Sequence, residues 1–359
     1  MRCGPVRLAV LGTAHVHLPD HLAAVTAAAG VELTAVHAGR GPWPELPAEV
    51  RRAATAEQAL AGADAALIAS TTAEHAALLH LVAAAGLPVL CEKPLGRSAA
   101  ETADLLAVLA AGGSRATTAM FLRCTPALRR LRELLAGRRL GRIASVEAGF
   151  AHPGLTDGLF AGPAGWMLDP AAGAAGAFAD LAVHLVDLLL WLDGGAVPEV
   201  LGAALRHRPG TVPDVGGAAL LSWGGVPVSL HAGWAARPGG LSVRVAGERG
   251  TAVVEGGRLV LTGALELTAA TAAPYAGAAT EAFLAGLRGE EVWEAPTAAE
   301  LLRAAAVLDA VAEAAARAPT PAVRTATSAT CANAVAVERT YQSLTGPAGS
   351  TAQGTNHTK

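Results

Sequence analysis

Three ionisable residues interrupt an otherwise apolar run, Asp180-Leu-Ala-Val-His184-Leu-Val-Asp187-Leu-Leu-Leu-Trp191-Leu192. Their spacing of i, i+4 and i+7 sets them on one face of a helix. The surrounding apolar residues bury that helix, and buried ionisable groups are costly unless paired and shift readily in pKa. Two readings follow from the spacing: a histidine held in the core by two carboxylates, or a proton-transfer group with its neighbours. A second chemical feature is Cys91-Glu92-Lys93-Pro94, directly after the apolar run Leu87–Leu90. In an open parallel sheet, ligands bind beyond the carboxyl ends of the strands, where a lysine can stabilise developing negative charge. Pro94 biases Lys93 to extended backbone. The plain alternative is a surface lysine at a strand end. The third feature is Gly12-Thr13-Ala14-His15-Val16-His17, between an apolar run and the next helix. It stands where a dinucleotide-binding turn would, but Ala14 and His17 occupy the second and third glycine positions, so alone it is a weak signal.

The elements that must position these residues are legible as alternating runs. Val6–Leu11, Val31–Val36, Ala65–Ala69, Leu87–Leu90 and a run near Ala116–Met120 read as strands. Helices are expected at Leu22–Ala29, with Pro19 acceptable in its first turn and Gly30 as its stop, at Glu74–Ala85 and at Ala99–Ala110. This alternation implies an α/β domain with a parallel sheet and right-handed crossovers. After Pro126 the pattern changes. A helix at Leu128–Leu135, a strand at Ile143–Ala148 and a Gly- and Pro-rich loop at Pro153–Gly176 precede the helix Phe178–Leu192. Short strand-like runs from Val200 to Leu267 imply an open, mostly antiparallel sheet, and a last helix spans Ala298–Ala316. The expected units are residues 1–122, 123–325 and a low-complexity, partly disordered tail, 326–359.

Composition narrows the function. The 359 residues carry 27 Lys and Arg against 30 Asp and Glu, a net charge of −3, which argues against nucleic-acid and polybasic membrane binding. The longest stretch without Asp, Glu, Lys or Arg, Val215–Ala236, is cut by glycines and Pro227, and reads as two strands around Gly224-Gly225 rather than a membrane span. Leu8–Leu11 is too short for an export signal's apolar core, and Cys3, Cys91, Cys124 and Cys331 form no CxxC pair. A reducing, cytoplasmic setting is expected, without a disulfide framework. His15, His17, Asp20 and His21 form a polar cluster, but no carboxylate–histidine repeat elsewhere completes a ligand set, so no metal is expected.

Taken together and in order, the turn at Gly12, Thr72–His75, Glu92-Lys93-Pro94, Arg123–Pro126, Gly141-Arg142-Ile143 and Asp180…His184…Asp187 resemble the glucose–fructose oxidoreductase/inositol dehydrogenase (Gfo/Idh/MocA) family over about residues 5–317. The resemblance implies a Rossmann domain followed by an α/β domain whose open sheet forms a dimer or tetramer face. It implies reversible hydride transfer between a sugar, aminosugar or cyclitol carbinol and NAD or NADP. His184 would be the general base, Lys93 would contact the same hydroxyl, and Asp180 would orient substrate or imidazole. Asp187 would support from behind, with Arg123 and Trp166 lining the substrate cleft. Gly12, Thr13, Ala14, His15, His17, Ser70, Thr71, Thr72, His75, Glu92 and Lys93 would contact the cofactor.

The chain departs from the family pattern in two places. A glycine cluster ahead of Asp180 reads Ala174-Ala175-Gly176, and the stretch after the second strand, Val36-His37-Ala38-Gly39-Arg40, has no carboxylate for a ribose. Arg40 would instead meet a 2′-phosphate, which favours NADP. The Ala- and Gly-rich composition fits a GC-rich coding sequence and, with the resemblance, a role in tailoring secondary-metabolite sugars of the aminoglycoside type. Two alternatives stand beside the dehydrogenase: a cofactor-retaining glycoside hydrolase of the same fold, and a non-catalytic ligand-binding relative. The second leaves unexplained why Lys93, Asp180 and His184, all costly to bury, are kept together.

Overall fold

The computed structural model describes residues 4–173, 175–208, 214–263, 267–270 and 273–317, so Ala174 and the expected tail at 326–359 lie outside the described residues. The first sheet is built from β1 (Val6–Leu11), β2 (Val31–His37), β3 (Arg51–Arg52), β4 (Ala65–Ile68), β5 (Val89–Cys91) and β6 (Ala116–Thr118). All its pairs are parallel, in the order β3-β2-β1-β4-β5-β6. Helices α1 (Leu18–Ala27), α2 (Ala56–Leu60), α3 (Thr72–Ala84) and α4 (Ala99–Ala111) form the crossovers. β4 and β5 are buried throughout, as their unbroken apolar runs require when helices cover both faces. Pro19 sits in the first turn of α1, which opens earlier than expected, at Leu18.

Helix α5 (Pro126–Ala136), β7 (Ile143–Ala151) and α6 (Ala177–Leu192) lead into β8 (Glu199–Arg206), β9 (Gly216–Trp223), β10 (Val226–Gly233), β11 (Gly240–Gly247), β12 (Gly250–Glu255), β13 (Arg258–Gly263) and β14 (Leu267–Ala270). The second sheet runs β14-β13-β12-β11-β7-β10-β9-β8. It is antiparallel except at its centre, where β7 and β10 run parallel. The uncharged stretch 215–236 is, as expected, a hairpin. Gly224 and Gly225 both take positive φ (58° and 85°), the two-residue turn whose twist suits the flanking strands.

Helix α6 is the hub of the second layer. From Leu181 to Leu192 every residue is buried, and each fully buried large apolar side chain contributes about 1.5–3 kcal/mol. The segment Pro170–Leu192 is long and apolar enough to cross a bilayer by composition, yet it is mostly buried inside the fold. The loop before α6 folds as three short 3-10 turns, Leu159–Ala161, Pro163–Leu168 and Pro170–Ala172. Helix α7 (Gly277–Leu287) returns to pack on α1, and α8 (Ala298–Arg317) packs on α4, α6 and β8. Neither α7 nor the short α2 and β3 were expected from the sequence.

Candidate active site

The parallel sheet reverses its strand order between β1 and β4, the place where α/β sheets bind ligands. Gly12 leaves β1 there with φ of 82°, and a Cβ on it would fall 2.2 Å from that of Ser70, at the end of β4. Only glycine allows these two turns to meet. The Thr13 hydroxyl donates to the carbonyl oxygens of Pro42 (2.6 Å) and Ala38 (3.2 Å), tying the turn to the loop after β2. The α1 N-cap, His17, makes no side-chain cap bond, but the Leu18 N–H already donates to the His15 carbonyl (3.1 Å) and Pro19, the next residue, has no N–H. Thr71 caps α3 through a reciprocal box with Glu74, whose other oxygen accepts the Arg40 N–H (3.2 Å). The carboxylate absent from β2 is thus supplied to the same loop by α3. The Arg40 side chain is exposed and makes no ion pair among the described residues.

Lys93 and α6 meet in a candidate reacting centre at the carboxyl end of β5. The Lys93 ammonium lies 2.5 Å from Asp180 Oδ1 and 3.2 Å from the Asp180 carbonyl, and the Trp234 indole N–H donates to Oδ2 at 2.9 Å. Burial works to raise the Asp180 pKa, but the Lys93 charge and these two donors prevail and hold it at about 2. One turn along, His184 is 1% exposed, with its ring centroid 4.7 Å from Phe121 and 5.9 Å from Phe150. Burial, reinforced by the Lys93 charge, lowers its pKa to about 3, so the imidazole is neutral. Its Nδ1 is buried and has no hydrogen-bond partner among the described residues. Two small cavities, of about 20 and 80 Å³, share Lys93, Met167 and Asp180. His15 and Trp166 line the first; His17, His152 and His184 line the second.

Other expected site residues face elsewhere. Arg123 does not line the cleft: it is 1% exposed, and its guanidinium is held by Asp187 (2.7 and 2.8 Å) and Glu300 (3.1 Å). Asp187 is therefore committed to Arg123, although it shares a helix with His184. His75 is buried and turns Nδ1 to the carbonyls of Pro94 and Leu95 (3.0 and 3.2 Å), bracing the Lys93-Pro94 turn rather than opening on a cavity. Glu92 is fully buried beneath the sheet end, where it faces His15 (3.4 Å), His17 (3.0 Å) and His21 (2.7 Å). Asp20, grouped with these histidines by sequence, is exposed. Trp166 does reach the cleft, and its indole N–H donates to the Ala14 carbonyl at 2.9 Å.

Residues 6–119 match the model of the oxidoreductase family with an NAD-binding Rossmann fold, and residues 128–253 match the Gfo/Idh/MocA C-terminal domain. The chain belongs to the Gfo/Idh/MocA oxidoreductase family. Among curated relatives, rabbit (Oryctolagus cuniculus) trans-1,2-dihydrobenzene-1,2-diol dehydrogenase is 35% identical over 153 residues, 43% of this chain and 44% of that one. Inositol 2-dehydrogenase of Acidiphilium cryptum is 28% identical over 222 residues, 58% of this chain and 61% of that one. The chain thus matches between two fifths and two thirds of the length of these relatives. Similar folds include a levoglucosan dehydrogenase in complex with NADH and levoglucosan (TM-score 0.74, 19% identity, covering 87% of this chain and 97% of that one). A 3-ketoreductase from Actinomadura kijaniata in complex with NADP and TDP-benzene is a second (TM-score 0.71, 24%, 87% and 98%).

An NAD-type dinucleotide fits this family member's first sheet, through the Gly12 turn at the strand-order reversal. Sequence reasoning missed Trp234, His152, Phe121, Phe150, Phe160 and Met167 at the centre, Glu74 at the β2 loop, and Asp214. Asp214 Oδ1 accepts the N–H groups of Phe178 (2.8 Å) and Gly216 (3.0 Å), and so caps α6. The one signal available was Trp234, a lone aromatic directly after the strand that ends His231-Ala232-Gly233.

Proposed function

We propose that the protein is an NAD(P)-dependent dehydrogenase that oxidises, or in reverse forms, a secondary alcohol of a sugar, aminosugar or cyclitol. The observation that carries this reading is the Lys93–Asp180 pair at 2.5 Å with neutral His184 one turn away, at the carboxyl end of β5. A neutral imidazole is the form that accepts a proton, and His184 takes it from the substrate hydroxyl. Lys93 stabilises the alkoxide character that develops on that oxygen, and Asp180, fixed by Trp234, keeps the ammonium in place. The aromatic wall of Phe121, Phe150 and Phe160 excludes water and presents an apolar face to the ring. When bound, the nicotinamide supplies the hydride acceptor or donor.

Narrower features belong to the same reading. The substrate is a secondary-metabolite sugar of the aminoglycoside type, and Arg40 favours NADP. The protein works in the cytoplasm, in keeping with its free Cys91 and Cys124. It associates through the outer face of the second sheet, where Leu201 and Leu220 are 56% and 49% exposed on neighbouring strands. Calorimetric titration of the full chain with NADP and NAD in parallel tests the core of the proposal. Binding of either supports it, and binding of neither by folded protein free of retained cofactor overturns it.

A further inference from the structure

We infer that His15, His17 and Glu92 form a binding site for one divalent ion of the zinc class, beside the reacting centre. The carboxylate that the sequence grouped with these histidines, Asp20, is exposed and takes no part. The fold supplies another by bringing the end of β5 under the α1 turn. His17 Nδ1 lies 3.0 Å and His15 Nδ1 3.4 Å from the same oxygen, Glu92 Oε1, and one ligand atom from each residue lies within 4.8 Å of the others. Tetrahedral coordination with bonds of about 2.0–2.1 Å sets ligand atoms about 3.3 Å apart. The two measured spacings bracket that value.

Charge and orientation point the same way. Glu92 is fully buried, and its ion-pair partners among the described residues are histidines only, since Lys93 is taken by Asp180. A buried carboxylate is stable when paired with a cation or coordinated to a metal. The carboxylate is also held from behind. His21, fully buried, meets Oε1 at 2.7 Å and is itself fixed by the Thr280 hydroxyl (2.7 Å), while the Lys93 N–H donates to Oε2 (3.0 Å). Such supporting bonds are what orient ligands in metal sites. The His17 N–H also approaches His15 Nδ1 at 3.3 Å, a long bond that the ion displaces. His15 lines one cavity and His17 the other, so three protein ligands leave the fourth position facing the space that holds Lys93 and Asp180. That is the open arrangement of a site that keeps water or a substrate oxygen.

The test is metal binding, which needs no turnover and so fails or succeeds independently of the proposed dehydrogenase activity. The full chain is stripped with a chelator and titrated with Zn²⁺ by calorimetry and with Co²⁺ by visible absorption. One equivalent of tight ion and tetrahedral Co²⁺ bands are expected, with both lost in His17→Ala. His17 is partly exposed, so this variant is expected to fold, and circular dichroism checks that. His21→Gln keeps all three ligands and is expected to weaken binding about 10–100-fold. The absence of a stoichiometric ion in the wild type, or equal affinity in His17→Ala, overturns the site.

Discussion

At the scale of single residues, the functional reading turns on protonation states. His184→Ala and Lys93→Ala are each expected to lower turnover about 100-fold or more with the fold retained, as for the loss of a positioned acid–base group. Steady-state kinetics with circular dichroism decides this, and wild-type turnover in either variant removes that residue from the chemistry. Burial and the Lys93 charge set the sign of the pH dependence: His184, at about 3 in the fold, rises to its ordinary ~6.5 on unfolding. Below that value the unfolded chain binds more protons, so this group's contribution makes stability fall as pH drops from about 6.5 towards 3. In the folded state, nitrogen NMR is expected to report a neutral imidazole down to about pH 5, with the signal assigned by its loss in His184→Gln. A midpoint near the ordinary histidine value contradicts the buried geometry. Arg40 has its backbone N–H held by Glu74 and its side chain exposed, and in the proposed reading that side chain meets the 2′-phosphate. Arg40→Ala is therefore expected to weaken NADP binding more than NAD binding in calorimetry, and an equal effect on both rules out the phosphate contact.

At the scale of elements, α6 carries Asp180 and His184, and its N-terminus depends on a residue from another segment. Gly176 at the N-cap has no side chain to give, so Asp214 supplies the acceptor. Burial raises the Asp214 pKa to about 6 against the pull of its two N–H donors. Asp214→Ala leaves the Phe178 and Gly216 amides without that acceptor, and a loss of about 1–3 kcal/mol is expected in urea unfolding at neutral pH. An unchanged midpoint means that water replaces the cap. This contact shows why the site was only partly legible. The strands β1 and β4 and the body of α6 announce themselves through unbroken apolar runs, because burial on all sides needs no partner to be named. Lys93 and His184 were legible because each is a polar residue set into such a run. The imidazole partners of Glu92 were not legible, since they lie 71–77 positions away and only the crossover topology brings them together. Helix α7 escaped notice because its alanines and glycines give little amphipathic contrast, and its place is set by packing on α1. The two-residue β3 exists only through its pairing with β2.

At the scale of the whole molecule, Arg123 links the end of the first sheet's chain to α6 and α8. Its Nε and one terminal nitrogen grip both Asp187 oxygens, that nitrogen also reaches Glu300 at the start of α8, and the other meets the Glu294 carbonyl at 3.3 Å. Arg123 and Asp187 are each 1% exposed, so neither charge can be given to water if its partner is lost. Burial already raises the Asp187 pKa against the attraction of Arg123. Arg123→Ala is therefore expected to cost about 3–5 kcal/mol, most of it the penalty of an uncompensated buried carboxylate. Adding Asp187→Asn removes that stranded charge, so the double variant is expected to recover part of the loss. Urea unfolding of the wild type, both single variants and the double variant closes the cycle and isolates the coupling. Strong coupling identifies the pair as the clamp that seats α6, and with it Asp180 and His184, against the first sheet. Purely additive losses instead assign the cost of Arg123→Ala to packing, and the alignment of the reacting centre then rests on the Lys93–Asp180 pair and the Asp214 cap.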